Sequence, residues 1–236
     1  MARTIPPQRL EQLVECATRI FIDQGYAHAQ MADIADAMGV AKGTLYLYVE
    51  SKDALFDLVC RSADREQPLE MPSKLPLPTP PLSATLKHVK ARLIENQKLP
   101  ALAAALGRSR VADPRAEIES IVREIYRTLF RNRTGIKLMD RSAQYHPELA
   151  ALWFGGARGT LVESLAGYLR RRADRKLLRP LADPIVGARV IVEMITTWAV
   201  HRFWDPAPQE IDDKVAEDTV VQFIVGGLTP TEGGEG

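Results

Sequence analysis

Residues 25–57 read GYAHAQMADIADAMGVAKGTLYLYVESKDALFD. Met31, Ile34, Ala35 and Met38 recur at i, i+3, i+4 and i+7, the apolar stripe of one short helix. Gly39 follows the stripe directly, and glycine enters the left-handed conformation of a helix C-terminus without steric cost. A second short helix then fits between Ala41 and Tyr48. Ser51 is a suitable N-cap for the next, with Asp53 near its positive end and Ala54, Leu55, Leu58 and Val59 facing inward. Two short helices joined by a tight glycine turn have the spacing of a helix-turn-helix, whose second helix lies in the DNA major groove.

The side chains of that second helix suit nucleic acid. Lys42 can neutralise a phosphate or reach a guanine edge, Gly43 lets the backbone approach closely, and Thr44 can donate to phosphate or touch a thymine methyl. The hydroxyls of Tyr46 and Tyr48 can reach phosphate oxygens while their rings pack on the motif, one ring of the pair being a candidate for the core. Lys52 is placed to clamp the DNA backbone from outside, where helix N-terminal N–H groups also favour anions. Leu45 and Val40 read as packing residues.

The ordered block resembles the N-terminal pattern of the TetR/AcrR family of transcriptional regulators. A Gly-aromatic pair stands at Gly25-Tyr26, an apolar-x-x-Ile-Ala helix at Met31 to Ala35, and a turn at Met38-Gly39-Val40. The Lys-Gly-Thr-Leu-Tyr-x-Tyr recognition helix stands at Lys42 to Tyr48, and the Ser-Lys-x-x-Leu start of the fourth helix at Ser51 to Leu55. Two departures are evident. Ala41 cannot cap the recognition helix, and Ala29-Gln30 stands where the family has a Thr pair, leaving Gln30 to reach the DNA backbone or a base edge. The resemblance implies a ligand-responsive repressor that binds palindromic double-stranded operator DNA as a homodimer and is released by a small hydrophobic effector.

Outward from the block, Leu10, Leu13, Val14, Ala17 and Phe21 line a first helix that can start at Pro7 and end at Gly25. Six prolines in residues 67–82 exclude a helix there and predict an extended linker or surface loop. Helices are expected near 83–97 and 100–110, and from a cap at Asp113 to a stop at Gly135. Others are expected from Pro147 to about Ala173, from Asp183-Pro184 to about Phe203, and from about Gln209 to Val225 before Gly226-Gly227. The expected architecture is all-α with about nine helices: a three- or four-helix helix-turn-helix head over 1–66, the proline segment over 67–82, a helical ligand-binding and dimerisation domain over 83–228, and a loose tail over 229–236.

With 236 residues and a net charge of +1, the composition is that of an ordinary globular protein. No signal peptide or membrane span is apparent, and Cys16 and Cys60, the only cysteines, fit a reducing cytoplasm, as buried thiols or as a redox sensor. Residues 1–66 hold 7 Lys and Arg against 10 Asp and Glu, a balance unfavourable to DNA. Arg3 and Arg9 read either as a minor-groove arm or as a solvated terminus. The histidines are isolated from metal-spaced partners, and no acid and base are fixed as a catalytic pair, so neither metal, cofactor nor catalytic site is expected. An α-helical enzyme or a protein-interaction module that keeps the head is the alternative. The glycines of LWFGGARG, residues 152–159, lie in a helical pattern and suggest close packing or a kink. Tyr126, Phe130, Met139, Tyr145, Trp153, Phe154 and Met194 are candidates for an effector pocket between helices, with a filled core as the other reading. Trp198, Phe203 and Trp204 cluster at a helix end and are candidates for the dimer interface, which the family resemblance places on the last two helices.

Overall fold

A computed structural model of the chain describes residues 7–65, 67 and 69–230, and of Pro7 and Tyr145 the backbone alone. The order is α1 (Pro7–Gln24), α2 (Met31–Met38), α3 (Lys42–Leu45), α4 (Lys52–Ser62), α5 (Leu82–Asn96), α6 (Pro100–Gly107), α7 (Pro114–Arg131), α8 (Arg133–Ser142), α9 (Pro147–Ala150), α10 (Gly159–Asp174), α11 (Pro184–Ala199) and α12 (Asp213–Leu228). Short 3-10 segments cover Ala143–Tyr145 and His201–Trp204. The glycine-containing stretch Ala151–Arg158 is wound as a π-helix. The all-α class is as expected, and the chain divides into two compact units: Met1–Leu93 with Thr134–Trp153, and Ile94–Arg133 with Phe154–Gly236.

Helix ends follow local chemistry where a cap is present. Ser51 accepts from the Ala54 N–H, Asp113 from that of Ala116, and Asp183 from those of Ile185 and Val186, so α4, α7 and α11 start where the sequence places them. Gly39 has φ 66°, and the Val40 N–H reaches back to the Ala35 carbonyl at 3.0 Å, closing α2. Two glycine stops fail. Gly135 lies inside α8, where a Cβ would come within 3.1 Å of the Asp64 carboxylate that caps the helix through the N–H groups of Thr134 and Gly135. Gly226 and Gly227 lie inside α12, which runs on to Leu228 from a cap at Asp212. Thr229, placed in the expected tail, is buried and bonded to the Val225 carbonyl; residues 231–236, Arg3 and Pro68 lie outside the described residues.

In the first unit, Leu10, Leu13, Ala17 and Phe21 of α1 are buried with Met31, Ile34 and Ala35 of α2 and Leu55 and Val59 of α4. Phe21, Tyr26 and Phe56 form an aromatic cluster, with Phe21 edge-on to Phe56 at 5.4 Å. Buried Asp57 ties α4 to α5 by accepting from Thr85 Oγ1 at 2.7 Å, and Arg61 also holds it at 2.7 Å. Arg141 of α8 donates to the Ile22 and Asp23 carbonyls near the end of α1, at 2.9 and 2.6 Å. Cys16 and Cys60 are free and buried; burial first, then Asp57, pushes the Cys60 thiol up and keeps it protonated.

In the second unit, α7 packs on α6, α11 and α12, and α10 packs on α6 and α11. A buried ion pair holds three of these helices. Arg172 of α10 donates to Glu117 of α7 at 2.7 Å and to the Ala105 carbonyl of α6 at 2.7 Å, and Tyr168 adds a hydrogen bond to Glu117 at 3.2 Å. The two charged side chains are 3% and 7% exposed, so removing one leaves the other as an uncompensated buried charge. Arg172→Met is expected to cost about 3–5 kcal/mol in chemical denaturation, and Arg172→Met with Glu117→Leu to recover most of that loss. A double variant no more stable than the single would show that the pair acts through shape and not through charge.

Candidate nucleic-acid interface

The recognition element is shorter than its sequence suggests. Only Lys42–Leu45 is α-helical, and turns carry the chain on to Val49. Ala41 gives no side-chain cap, as expected of alanine. What holds the element is its underside: Leu45, Tyr48 and Val49 are buried at 0%, 5% and 0% exposure. Tyr48 is therefore a core residue and not the surface phosphate ligand its spacing suggested. Tyr46, 40% exposed, is the ring of the pair that faces solvent.

Lys42 and Gly43 are exposed and Thr44 is half-buried, so the outer side of the turn carries an ammonium, a bare backbone, a hydroxyl and a phenol. Nothing lies within 4 Å of the position a Gly43 Cβ would take. Leu47, 51% exposed on the same element, is a surface residue the sequence reading missed; the i, i+3 spacing of Leu45 and Tyr48, which leaves Leu47 off their face, was the available signal. Gln30 is exposed at the start of α2, where Asp33 accepts its backbone N–H at 3.0 Å.

Lys52 departs from the expectation of a free phosphate clamp. Its ammonium donates to the Tyr26 and Ala29 carbonyls at 2.9 and 3.1 Å and lies 4.5 Å from the centre of the Tyr26 ring. Two of its three N–H groups are used within the head, leaving at most one for DNA. The Tyr26 hydroxyl donates to Asp53, and burial first, then that carboxylate, raises its pKa and keeps it protonated. Lys52 and Asp53 thus fasten the first turn of α4 to the loop between α1 and α2.

The candidates for an effector pocket fall in both units. Met139 and Trp153 belong to the first unit, where the Trp153 indole donates to Asp140 at 2.6 Å. Tyr126, Phe130, Phe154 and Met194 belong to the second; the side chain of Tyr145 lies outside the description. Tyr126 stacks on Phe130 at 6.5 Å, Phe130 meets Phe203 at 5.7 Å, and Phe203 meets Trp204 at 6.4 Å. Pocket and interface candidates therefore share one aromatic row, with Arg133 over both Phe130 and Phe203. Phe154 is 38% exposed and Met194 half-buried. A cleft of about 220 Å³ in the first unit, beside Tyr26, Phe56 and Leu149, and an open groove of about 420 Å³ in the second, beside Glu119, Arg123 and Arg127, contain none of the seven.

Trp198 and Phe203 are 36% and 39% exposed and Trp204 is half-buried, but the larger apolar exposure on the last two helices lies elsewhere. Val186 and Val190 of α11 are 60% and 55% exposed, and Val215 and Phe223 of α12 are 58% and 71% exposed. The available signal was that α11 reads apolar on more than one face. Among the described residues no group of three or more His, Cys, Asp or Glu is placed to hold a metal, and no helix is long and apolar enough to cross a membrane.

Residues 13–59 match the family described as bacterial regulatory proteins, tetR family. A stretch of 56 residues is 34% identical to the HTH-type transcriptional repressor KstR2 of Mycolicibacterium smegmatis, covering 24% of this chain and 27% of that protein. The chain thus spans about a quarter of the length of the curated relative it matches. Among solved structures, the ketosteroid transcriptional regulator KstR2 of Mycobacterium tuberculosis aligns with a TM-score of 0.55 at 15% identity, over 94% of this chain and 96% of that one. A TetR-family member from Streptomyces coelicolor A3 gives 0.57 at 17% identity over 92% and 91%. AibR in complex with isovaleryl coenzyme A and operator DNA gives 0.52 at 20% identity over 91% and 97%. Residues 13–59 thus match the N-terminal segment of the tetR family, and the chain as a whole shares its fold with these solved regulators.

Proposed function

We propose that the chain is a one-component transcriptional repressor of the cytoplasm, not an enzyme, that binds a palindromic operator as a homodimer and is released by a small lipophilic or aromatic effector. The observation that carries this reading is the recognition turn: Lys42, Gly43, Thr44 and Tyr46 lie outward over a buried Leu45-Tyr48-Val49 underside, within the segment that matches the family. A homodimer is supported by the apolar area that Val186, Val190, Val215 and Phe223 leave exposed on α11 and α12, area that a second copy could cover. Two copies would present two recognition turns about 34–36 Å apart, one turn of DNA. An effector releases the operator if it binds the non-matching spacing more tightly than the matching one.

The test is a mobility shift at low salt on the DNA upstream of the coding sequence. It is repeated with lipophilic and aromatic compounds and with isovaleryl coenzyme A, the ligand of a fold relative. A retarded band removed by one ligand class is the expected result; no band at any protein concentration would falsify the reading. Lys42→Ala is expected to weaken binding and to reduce the slope of log affinity against log salt by about 1, as loss of one phosphate contact requires. Gly43→Ala separates fold from function. Its methyl meets nothing in the folded chain and improves helix propensity by about 1 kcal/mol, so melting temperature should hold or rise while affinity for the upstream fragment falls. Equal affinity would leave Gly43 without a role at DNA. Phe223→Lys, at a position 71% exposed, should leave the monomer folded and yield a monomeric mass in sedimentation. A dimeric mass would move the interface off this face.

A further inference from the structure

We infer that residues 69–81 form a positioning strap for the recognition turn, in which Leu77 and Thr79 hold the end of that turn in its DNA-reading shape; this rests on the DNA-binding reading above. The need for such a strap lies in the turn itself. Its α-helix is only Lys42–Leu45, without a side-chain cap and with Gly43 inside. A single helical turn costs more to nucleate than its hydrogen bonds return, so its shape must come from outside.

The strap supplies contacts to four consecutive residues. Leu77 pairs with Val49 in a parallel bridge: its N–H donates to the Tyr48 carbonyl at 2.7 Å, and its carbonyl accepts from the Glu50 N–H at 3.0 Å. Two residues on, the Thr79 N–H donates to the Glu50 carboxylate at 3.0 Å, and the Thr79 hydroxyl lies 2.7 Å from the Ser51 hydroxyl. Ser51 is also the N-cap of α4, so the strap joins the end of the recognition turn to the start of the next helix.

Composition explains why this segment can do so. Residues 76–81 read Pro-Leu-Pro-Thr-Pro-Pro, and proline has no backbone N–H. Leu77 and Thr79 are the only two backbone donors in that run, and both are directed at residues 48–50. The flanking prolines fix φ and lower the entropy lost when the segment is ordered. Just beyond, α5 begins at Leu82 and is bonded to α4 through Thr85 and Asp57, which anchors the strap at its far end. A chain segment of this kind acts on the orientation of base-reading groups, whereas phosphate attraction needs only charge nearby.

The experiment uses the full chain with Leu77→Pro, which removes one donor at a position already extended, Thr79→Ala, which removes the hydroxyl, and Thr79→Ser, which keeps it. Affinities are measured by fluorescence anisotropy at one salt concentration for the upstream fragment and for a scrambled fragment of equal length. Amide exchange at Glu50 is followed without DNA. Leu77→Pro and Thr79→Ala should each lose about two- to tenfold on the upstream fragment, the scale of one hydrogen bond, with no change on scrambled DNA. Thr79→Ser should stay close to the unaltered chain, and Glu50 exchange should quicken in the first two. Equal losses on both fragments, or none on either, overturn the strap's role. If the unaltered chain does not distinguish the fragments, the DNA-binding reading is what fails. Glu50 exchange then still decides the strap, because unchanged exchange in Leu77→Pro and Thr79→Ala overturns it.

Discussion

Four helical residues cannot stabilise themselves, and the architecture of the first unit follows from that constraint. Lys42–Leu45 takes its direction from the left-handed Gly39 at one end and from buried Tyr48 and Val49 at the other. The knot of Lys52, Tyr26 and Asp53 then sets where α4 starts relative to the loop before α2. A lysine that would serve DNA as a point charge is here held by two carbonyls and an aromatic face. Its positive charge remains near the recognition turn, but its geometry belongs to the fold. Charge and position are thus supplied by different residues: Lys52 fixes the frame, and exposed Lys42 is free to meet a phosphate.

The acidic balance of the head has a physical account. Asp33 accepts the Gln30 N–H, Asp53 the Tyr26 hydroxyl, Asp57 the Arg61 guanidinium and the Thr85 hydroxyl, Asp64 two N–H groups of α8, and Glu50 the Thr79 N–H. These five carboxylates satisfy donors within the first unit. A net count treats them only as repelling DNA, whereas each is committed to a donor of the fold and Asp57 is also paired with the Arg61 guanidinium. Asp64 shows the same economy at long range: a residue after α4 closes the open N-terminus of a helix 70 positions later in the chain.

Much of this was legible because caps are local. Ser51, Asp113 and Asp183 satisfy N–H groups two or three residues away, and Gly39 answers a demand on its own φ, so a short window of sequence contains the whole interaction. Gly135 was not legible, because its reason is the Asp64 carboxylate, which arrives from elsewhere in the chain. The Tyr46 and Tyr48 pair could be narrowed to one core ring but not resolved, since both lie in turns after the one-turn helix, where a helical period does not continue to apply. Lys52 was legible as a cation near the interface, yet the carbonyls of Tyr26 and Ala29 that occupy it belong to a loop whose path no periodicity reports. The proline content of residues 67–82 speaks against a helix there, but it is silent on what two isolated N–H groups among prolines bind.

One recognition turn is a small reader, and that bears on how many copies are needed. A well-placed base contact discriminates by about 1–3 kcal/mol. A specific complex exceeds the non-specific one by about 4–10 kcal/mol. On the repressor reading, Lys42, Thr44 and Tyr46 would offer few such contacts, and part of what Lys42 would supply is sequence-blind phosphate attraction. A single copy therefore sits near the lower bound, while a two-fold pair doubles the contacts without enlarging the turn. On the repressor reading, the second unit supplies what the first lacks: Val186, Val190, Val215 and Phe223 leave apolar area in water that a second copy can cover at roughly 25 cal/mol per Å². On that reading, the short helix of the head and the exposed apolar side chains of α11 and α12 are two consequences of reading DNA with one turn per chain.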